Sequence, residues 1–253
     1  MKNPLYKEGP GKSILYNRWL KTMLLPLSLT CVLAFPLSAQ DRHNEDARKS
    51  KEAYYGPDCD LINGEKYTYP YLNSEGTPFF LTEEFEDATL SVDGSVFSGQ
   101  RLRYDIYNHI VILDYMDLYG SQTSIVLRNR YLEYFKSRHL LFKRYERENG
   151  STQFGQVIHE DSISCIYFWS KDRILGGEST YRFTEPQRES VLLINNAFLR
   201  YRNNRSFLKI FAEDQRTRVK QYLRDNHVKV RKAGTSEMQL LLEFINSWTL
   251  NEG

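Results

Sequence analysis

The stretch GQRLRYDIYNHIVIL, from Gly99 to Leu113, decides how the chain is read, because apolar residues recur at every second position on both sides of Asn108-His109. Alternation with period two sends successive side chains to opposite faces of a strand. With Asn108 and His109 as a two-residue turn, Ile106 faces Val111, Tyr104 faces Leu113 and Leu102 faces Tyr115, which makes one side wholly apolar. The other side pairs Tyr107 with Ile110, Asp105 with Ile112 and Arg103 with Asp114. The spacing predicts a half-buried antiparallel hairpin, in which Asp105 and His109 mark a strand and its turn and perform no chemistry.

The same pattern extends outward. Turn dipeptides punctuate the chain at Asn63-Gly64, Asp93-Gly94, Asn149-Gly150, Gly176-Gly177 and Asn195-Asn196. Asn-Gly and Asp-Gly between apolar runs favour type I′ hairpin turns, whose two central residues both need positive φ. Around Asp93-Gly94 this register sets Leu90 against Phe97; around Asn149-Gly150 it sets Tyr145 against Phe154 and Phe142 against Val157. Further strands are expected at 123–127, 131–135, 162–169, 179–183, 189–194 and 197–201. The 18 tyrosines and 14 phenylalanines suit pleated, half-buried surfaces.

Beyond Tyr201 the period changes, and helices are expected from about residue 205. Asp214 is placed to cap a helix reaching Arg224, with Val219, Tyr222 and Leu223 on one side. Ser236 and Gln239 have capping-box spacing, and Met238, Leu241, Leu242, Ile245 and Trp248 then form an apolar stripe that must cover something. The fold class is therefore α+β: a large antiparallel, meander-like sheet, curved or partly closed, with C-terminal helices packing on it.

The first 39 residues read as a signal peptide. Lys2, Lys7, Lys12, Arg18 and Lys21 precede an apolar run from Met23 to Ala39 that ends in small residues suited to cleavage. The run contains Pro26 and Pro36 and is shorter than the roughly 20 residues a spanning helix needs, so no transmembrane helix is expected in the mature protein. Residues 40–55 are charged and poor in large aliphatics, as in a linker, leaving 56–253 as one β-rich domain. The leader carries five of the 34 basic residues and one of the 32 acidic ones, so 29 remain against 31. The mature chain is near neutral, which argues against nucleic acid as a partner. After export Cys59 and Cys165 remain. They either join in a disulfide, worth about 4 to 5 kcal/mol through the loop it would close, or stay separate thiols with Cys165 buried in SISCIYFW.

Common catalytic signatures are missing: Gly-x-Ser-x-Gly, a Gly-x-x-x-x-Gly-Lys phosphate loop, His-Glu-x-x-His and Cys-x-x-Cys do not occur. No catalytic, metal-binding or cofactor residues are assigned. Asp58, Asp60 and Gly64 lack calcium-loop spacing, and position 69, where a bidentate Glu would close such a loop, is Tyr. Arg103 between Asp105 and Asp114 would hold both carboxylates ionised as a solvated charge cluster. In the register above, His159 faces Leu140 and Glu160 faces His139, the reading of a strand end and turn. Tyr67, Tyr69 and Tyr71 in KYTYPY alternate along one face near a sheet edge to which Pro70 confines them, and are the candidate ligand-binding residues. From Arg200 to Lys232 basic residues outnumber acidic ones, which reads first as the solvated face of helices and second as a positive face suited to anionic headgroups or an acidic partner.

The segments INGEKY (62–67), GTPFF (76–80), LRYDIYNHIVIL (102–113) and FLKIFAEDQRTRVKQYLRDN (207–226), with a last helix after them, resemble uncharacterised exported β-rich proteins of Gram-negative bacteria. The resemblance implies a periplasmic or outer-membrane-associated protein and supplies no catalytic residues. The expected function is non-catalytic binding of a partner protein, glycan or lipid through the sheet surface. The alternative is an envelope hydrolase that uses Asp105, Asp114 or His159.

Overall fold

The computed structural model of the chain describes residues 61–249, apart from 63, 118, 178 and 179. The proposed leader, the linker and Cys59 lie outside the described residues.

In chain order the strands are β1 (Glu65–Lys66), β2 (Ser74–Glu75), β3 (Glu86–Val92), β4 (Ser95–Asp105), β5 (Ile110–Met116), β6 (Gln122–Val126) and β7 (Leu132–Ser137). They continue as β8 (Leu140–Glu146), β9 (Thr152–His159), β10 (Ile163–Ser170), β11 (Arg173–Leu175), β12 (Tyr181–Phe183), β13 (Gln187–Ile194) and β14 (Ala197–Tyr201). Three helices follow: α1 (Asn204–Leu208), α2 (Glu213–Asp225) and α3 (Thr235–Thr249). Eleven strands form one sheet in the order β1-β6-β5-β4-β3-β7-β8-β9-β10-β13-β14, with antiparallel pairing throughout. A small sheet, β11-β12-β2, interrupts the meander between β10 and β13. The predicted α+β class is therefore observed.

The sheet does not close by hydrogen bonding, yet it curls tightly. β4 and β9 are four strand spacings apart, about 19 Å on a flat sheet. Nevertheless the Tyr104 hydroxyl of β4 donates to the Phe154 carbonyl of β9 at 3.2 Å. The Tyr104 ring packs edge-on against Phe135, Phe142 and Phe154 from β7, β8 and β9. A core of Leu90, Leu102, Tyr104, Val111, Leu113, Leu132, Phe135, Phe142 and Phe154 fills this concavity. Burying each large apolar side chain contributes about 1.5 to 3 kcal/mol, enough to hold the curl against the entropy of ordering it.

The second core lies under the helices. Met238, Leu241, Leu242 and Ile245 are completely buried on α3 and pack with Cys165, Tyr167 and Leu192 of the sheet, as the apolar stripe requires. Asn246 fastens the helix to the start of β10. It accepts from the Ile163 N–H at 3.0 Å and the Ser162 hydroxyl at 2.7 Å, and donates to the Ile163 carbonyl at 3.0 Å. Both helix starts differ from expectation. Gly234 precedes α3 and its N–H donates to Glu237 Oε2 at 2.9 Å, so only the glutamate half of a capping box is made, two residues before Ser236 and Gln239. Ala212 is the N-cap of α2, and Asp214 lies in the first turn beside Glu213, where both charges complement the helix dipole.

The turns at Asp93-Gly94 (φ 49° and 78°) and Asn195-Asn196 (φ 49° and 63°) join strands directly, and Leu90 lies opposite Phe97. Three predicted turns are corrected. The β4–β5 loop has four residues: Asp105 pairs with Ile110, Tyr104 with Val111, Arg103 with Ile112 and Arg101 with Asp114. Asp105 closes the loop by accepting N–H bonds from Tyr107 and Asn108, and of the intended turn pair His109 alone takes positive φ. The shift is two residues, so every side chain keeps its predicted face. The β8–β9 loop is a three-residue turn ending in Gly150 at φ 76°, which slides that register by one. Arg144 therefore meets Phe154, and Phe142 meets Gln156. Finally, Gly64 introduces no hairpin. It leads into β1, which pairs with distant β6, and a side chain there would strike the Val126 carbonyl.

Candidate functional site

The tyrosine segment 67–71 runs from the β6 edge of the sheet to the β4–β5 loop. Tyr67, Tyr69 and Tyr71 are half-buried and alternate with exposed Thr68 and Pro70, as period two requires. The Tyr67 N–H donates to the Ser124 carbonyl of β6 at 2.8 Å, after which the chain leaves the sheet edge. The predicted face therefore exists, but on an extended arm outside the sheet ladder.

The arm closes over residues from three other parts of the chain. Tyr71 meets Tyr69, Tyr107 and Phe183 edge-on, with ring centroids 5.6, 5.7 and 5.1 Å away, and Tyr107 meets Phe183 at 5.4 Å. The Tyr71 hydroxyl accepts from Asn108 Nδ2 at 2.7 Å, tying the arm to the β4–β5 loop. Arg173 of β11 lies over Tyr71 and Tyr181 at 5.3 and 4.1 Å from their ring centres, and its Nε donates to Ser74 Oγ of β2. Arg103 of β4 covers Phe79 and Phe85 at 3.9 and 4.2 Å and donates to the Glu83 carbonyl at 2.6 Å. Burial raises the phenols of Tyr67, Tyr69 and Tyr71 above the ordinary tyrosine value, so they act as neutral stacking and hydrogen-bonding groups.

Asp105 lies beneath this surface and is completely buried. Its Oδ1 accepts the Tyr107 and Asn108 N–H groups at 2.9 and 2.8 Å, and its Oδ2 accepts Asn108 Nδ2 at 2.7 Å. Burial pushes its pKa up, and the bonds from Asn108 and Tyr107 and the charge of Arg103 oppose that push. Its oxygens are committed to shaping the loop.

The residues of the hydrolase reading are dispersed. Asp114 is buried opposite Arg101 and accepts Ser124 Oγ at 3.2 Å and Gln122 Nε2 at 2.5 Å. It lies four residues along β5 from Ile110, the partner of Asp105, so the two carboxylates are separated by about 13 Å of strand. Carboxylate pairs in glycoside hydrolysis work at about 5 to 9.5 Å. Arg103 faces Ile112 and not Asp114, and both carboxylates are buried, so the expected solvated charge cluster is not formed; burial lowers the Arg103 pKa, and the charges of Asp114 and Asp105 oppose that push. His159 pairs with Cys165 across β9 and β10, Glu160 binds Lys143 Nζ at 2.6 Å, and Asp161 caps the following turn through Ser162. His139 is exposed in the β7–β8 turn. None of these gathers around a nucleophile, and among the described residues no three His, Cys, Asp or Glu side chains converge as a metal site would require.

Cys165 is a free, fully buried thiol, 3.4 Å from the Tyr201 hydroxyl, and burial pushes its pKa up to about 12. It behaves as a small core side chain. A disulfide with Cys59 is not among its contacts.

The alternation in KYTYPY marks Tyr67, Tyr69 and Tyr71, whereas Tyr107, Arg173, Tyr181 and Phe183 join them through tertiary structure. The one local hint is YRF (181–183), a short alternating run beside the Gly176-Gly177 turn. Comparison of the chain with known protein families, curated proteins and solved structures finds no match.

Proposed function

We propose that the chain is an exported envelope protein that acts by binding, without catalysis, and that a partner protein docks on the surface built by the tyrosine arm, Tyr107 and the β11–β12 hairpin. The observation that carries this reading is an apolar rim around the tyrosine and arginine cluster. Leu72 is 85% exposed, Leu175 65%, Tyr181 44% and Ile174 39%. Leu175 and Tyr181 are direct cross-strand partners, and Tyr181 in turn lies under Arg173.

Neighbouring exposed apolar groups mark interaction sites, and tyrosine and arginine are among the side chains that most often carry binding energy between proteins. The rings of Tyr71, Tyr107 and Phe183 meet edge to face, so their flat faces are already used by neighbours. That favours a protein over a glycan, which needs an open ring face to stack on.

A photo-crosslinking residue at Tyr181, in intact cells, tests the reading against the same residue at Tyr119, which is 93% exposed and far from the hairpin in sequence. The expected result is one protein captured at position 181 and not at 119, with capture abolished by Leu175→Glu. Capture of glycan or lipid alone, or equal capture at both positions, refutes it.

A further inference from the structure

A second feature lies at the β14 edge of the sheet, where its last strand peels away. Pairing between β13 and β14 stops at Ser190 and Tyr201, while β13 continues to pair with β10 as far as Gln187. Residues 187–189 thus have a strand on one side and a cleft of about 790 Å³ on the other. Four arginines line this cleft, Arg188, Arg200, Arg202 and Arg231, against a single carboxylate, Glu189.

The walls are fixed. Arg188 donates to the main-chain carbonyls of Val230, Arg231 and Ala233 at 3.3, 2.7 and 3.0 Å, and its guanidinium lies 4.2 Å from the centre of the Tyr167 ring. It staples the segment carrying Arg231 to the sheet. Glu189 is shared between Arg147 and Arg200, the latter at 2.7 Å. Its charge is therefore spent on two cations, and Arg202 and Arg231 remain exposed in the lining without an ion pair to Glu189.

We infer that this cleft binds a phosphorylated ligand, either a soluble polyphosphate or the phosphate headgroup of an anionic lipid. Guanidinium groups present planar forks of donors that match phosphate oxygens two at a time, and the lining carries three more positive charges than negative ones. The cleft also shows why the basic run from Arg200 to Lys232 is more than a solvated face: the fold brings Arg202 and Arg231, 29 positions apart, to one opening beside Arg188. This site is independent of the protein-binding surface proposed above, and either can fail without the other.

The test titrates the full chain with inorganic tripolyphosphate by calorimetry, and separately cosediments it with phosphatidylcholine vesicles with and without phosphatidylglycerol. The double variant R202Q/R231Q is compared with K66Q/K136Q, which removes equal charge from exposed positions outside the cleft. Binding of either probe, weakened about tenfold in R202Q/R231Q and less than about twofold in K66Q/K136Q, supports the site, since paired charged bonds are lost only in the first. Response to tripolyphosphate identifies a soluble ligand; response to phosphatidylglycerol vesicles alone identifies a headgroup. Failure of both probes to bind the wild-type chain, or equal weakening in the two variants, overturns the inference. Circular dichroism confirms that each variant is folded.

Discussion

Asp105→Ala is the sharpest test of the claim that this carboxylate builds a loop and does no chemistry. The side chain is fully buried and accepts three bonds, two from main-chain N–H groups and one from Asn108 Nδ2. Truncation leaves those donors unsatisfied in a poorly hydrated place, at about 1 kcal/mol each, while relieving the burial of one charge; the net loss is about 2 to 3 kcal/mol. In a domain of this size that lowers Tm by about 5 to 10 °C. Asp105→Asn retains an oxygen for the two main-chain donors and needs only a turned Asn108 amide, so its loss is about 1 kcal/mol. The pH dependence has a definite sign. Because the folded pKa is raised, the contribution of Asp105 is fully present below the unfolded carboxylate value and is lost as pH rises through the folded value. The advantage of wild type over Asp105→Asn should therefore shrink as pH rises through that window. Urea unfolding followed by tryptophan fluorescence measures all three. An Asp105→Ala loss below about 0.5 kcal/mol, or an Asn variant as damaged as the Ala variant, refutes the reasoning.

Three further outcomes are expected. Gly155→Val should lose about 1 to 3 kcal/mol in thermal unfolding, because even a Cβ there falls 2.5 Å from Ile166 Cγ2 and 2.9 Å from Phe168 Cε1. Asn246→Leu should lose about 2 to 4 kcal/mol by denaturant titration, since it orphans the N–H and carbonyl of Ile163 at the helix–sheet junction. Cys165 should resist alkylation in the native protein at mildly alkaline pH and react after unfolding, as read by peptide mapping, because its thiol is buried and its pKa is pushed up to about 12.

Legibility followed the range of the interactions. The apolar stripe from Met238 to Trp248 and the left-handed turns at Asp93-Gly94 and Asn195-Asn196 are written in neighbouring residues, and both appear as read. The Arg138-His139 turn carries no glycine or asparagine to announce it, although Arg138 takes φ 55°. Registers at the β4–β5 and β8–β9 loops went astray for a related reason. An Asp105 side chain reaching two and three residues ahead, or a Gly150 that suits a three-residue loop as well as a two-residue one, changes loop length without changing the apolar pattern.

By itself, then, the sequence determined an antiparallel, hairpin-built sheet with amphipathic helices at its C-terminal end, because strand faces and helix stripes depend on spacings of two to four residues. Tertiary structure alone decided that β3 lies between β4 and β7, next to the central strand, since the apolar faces of several strands are interchangeable as pairing partners. It also decided that the sheet curls until Tyr104 reaches Phe154, and that Tyr71, Tyr107, Arg173 and Phe183 share one surface while Arg188, Arg202 and Arg231 share another. Curl is the summed twist of many strands, fixed only when the whole core packs, and no local pattern of residues contains it.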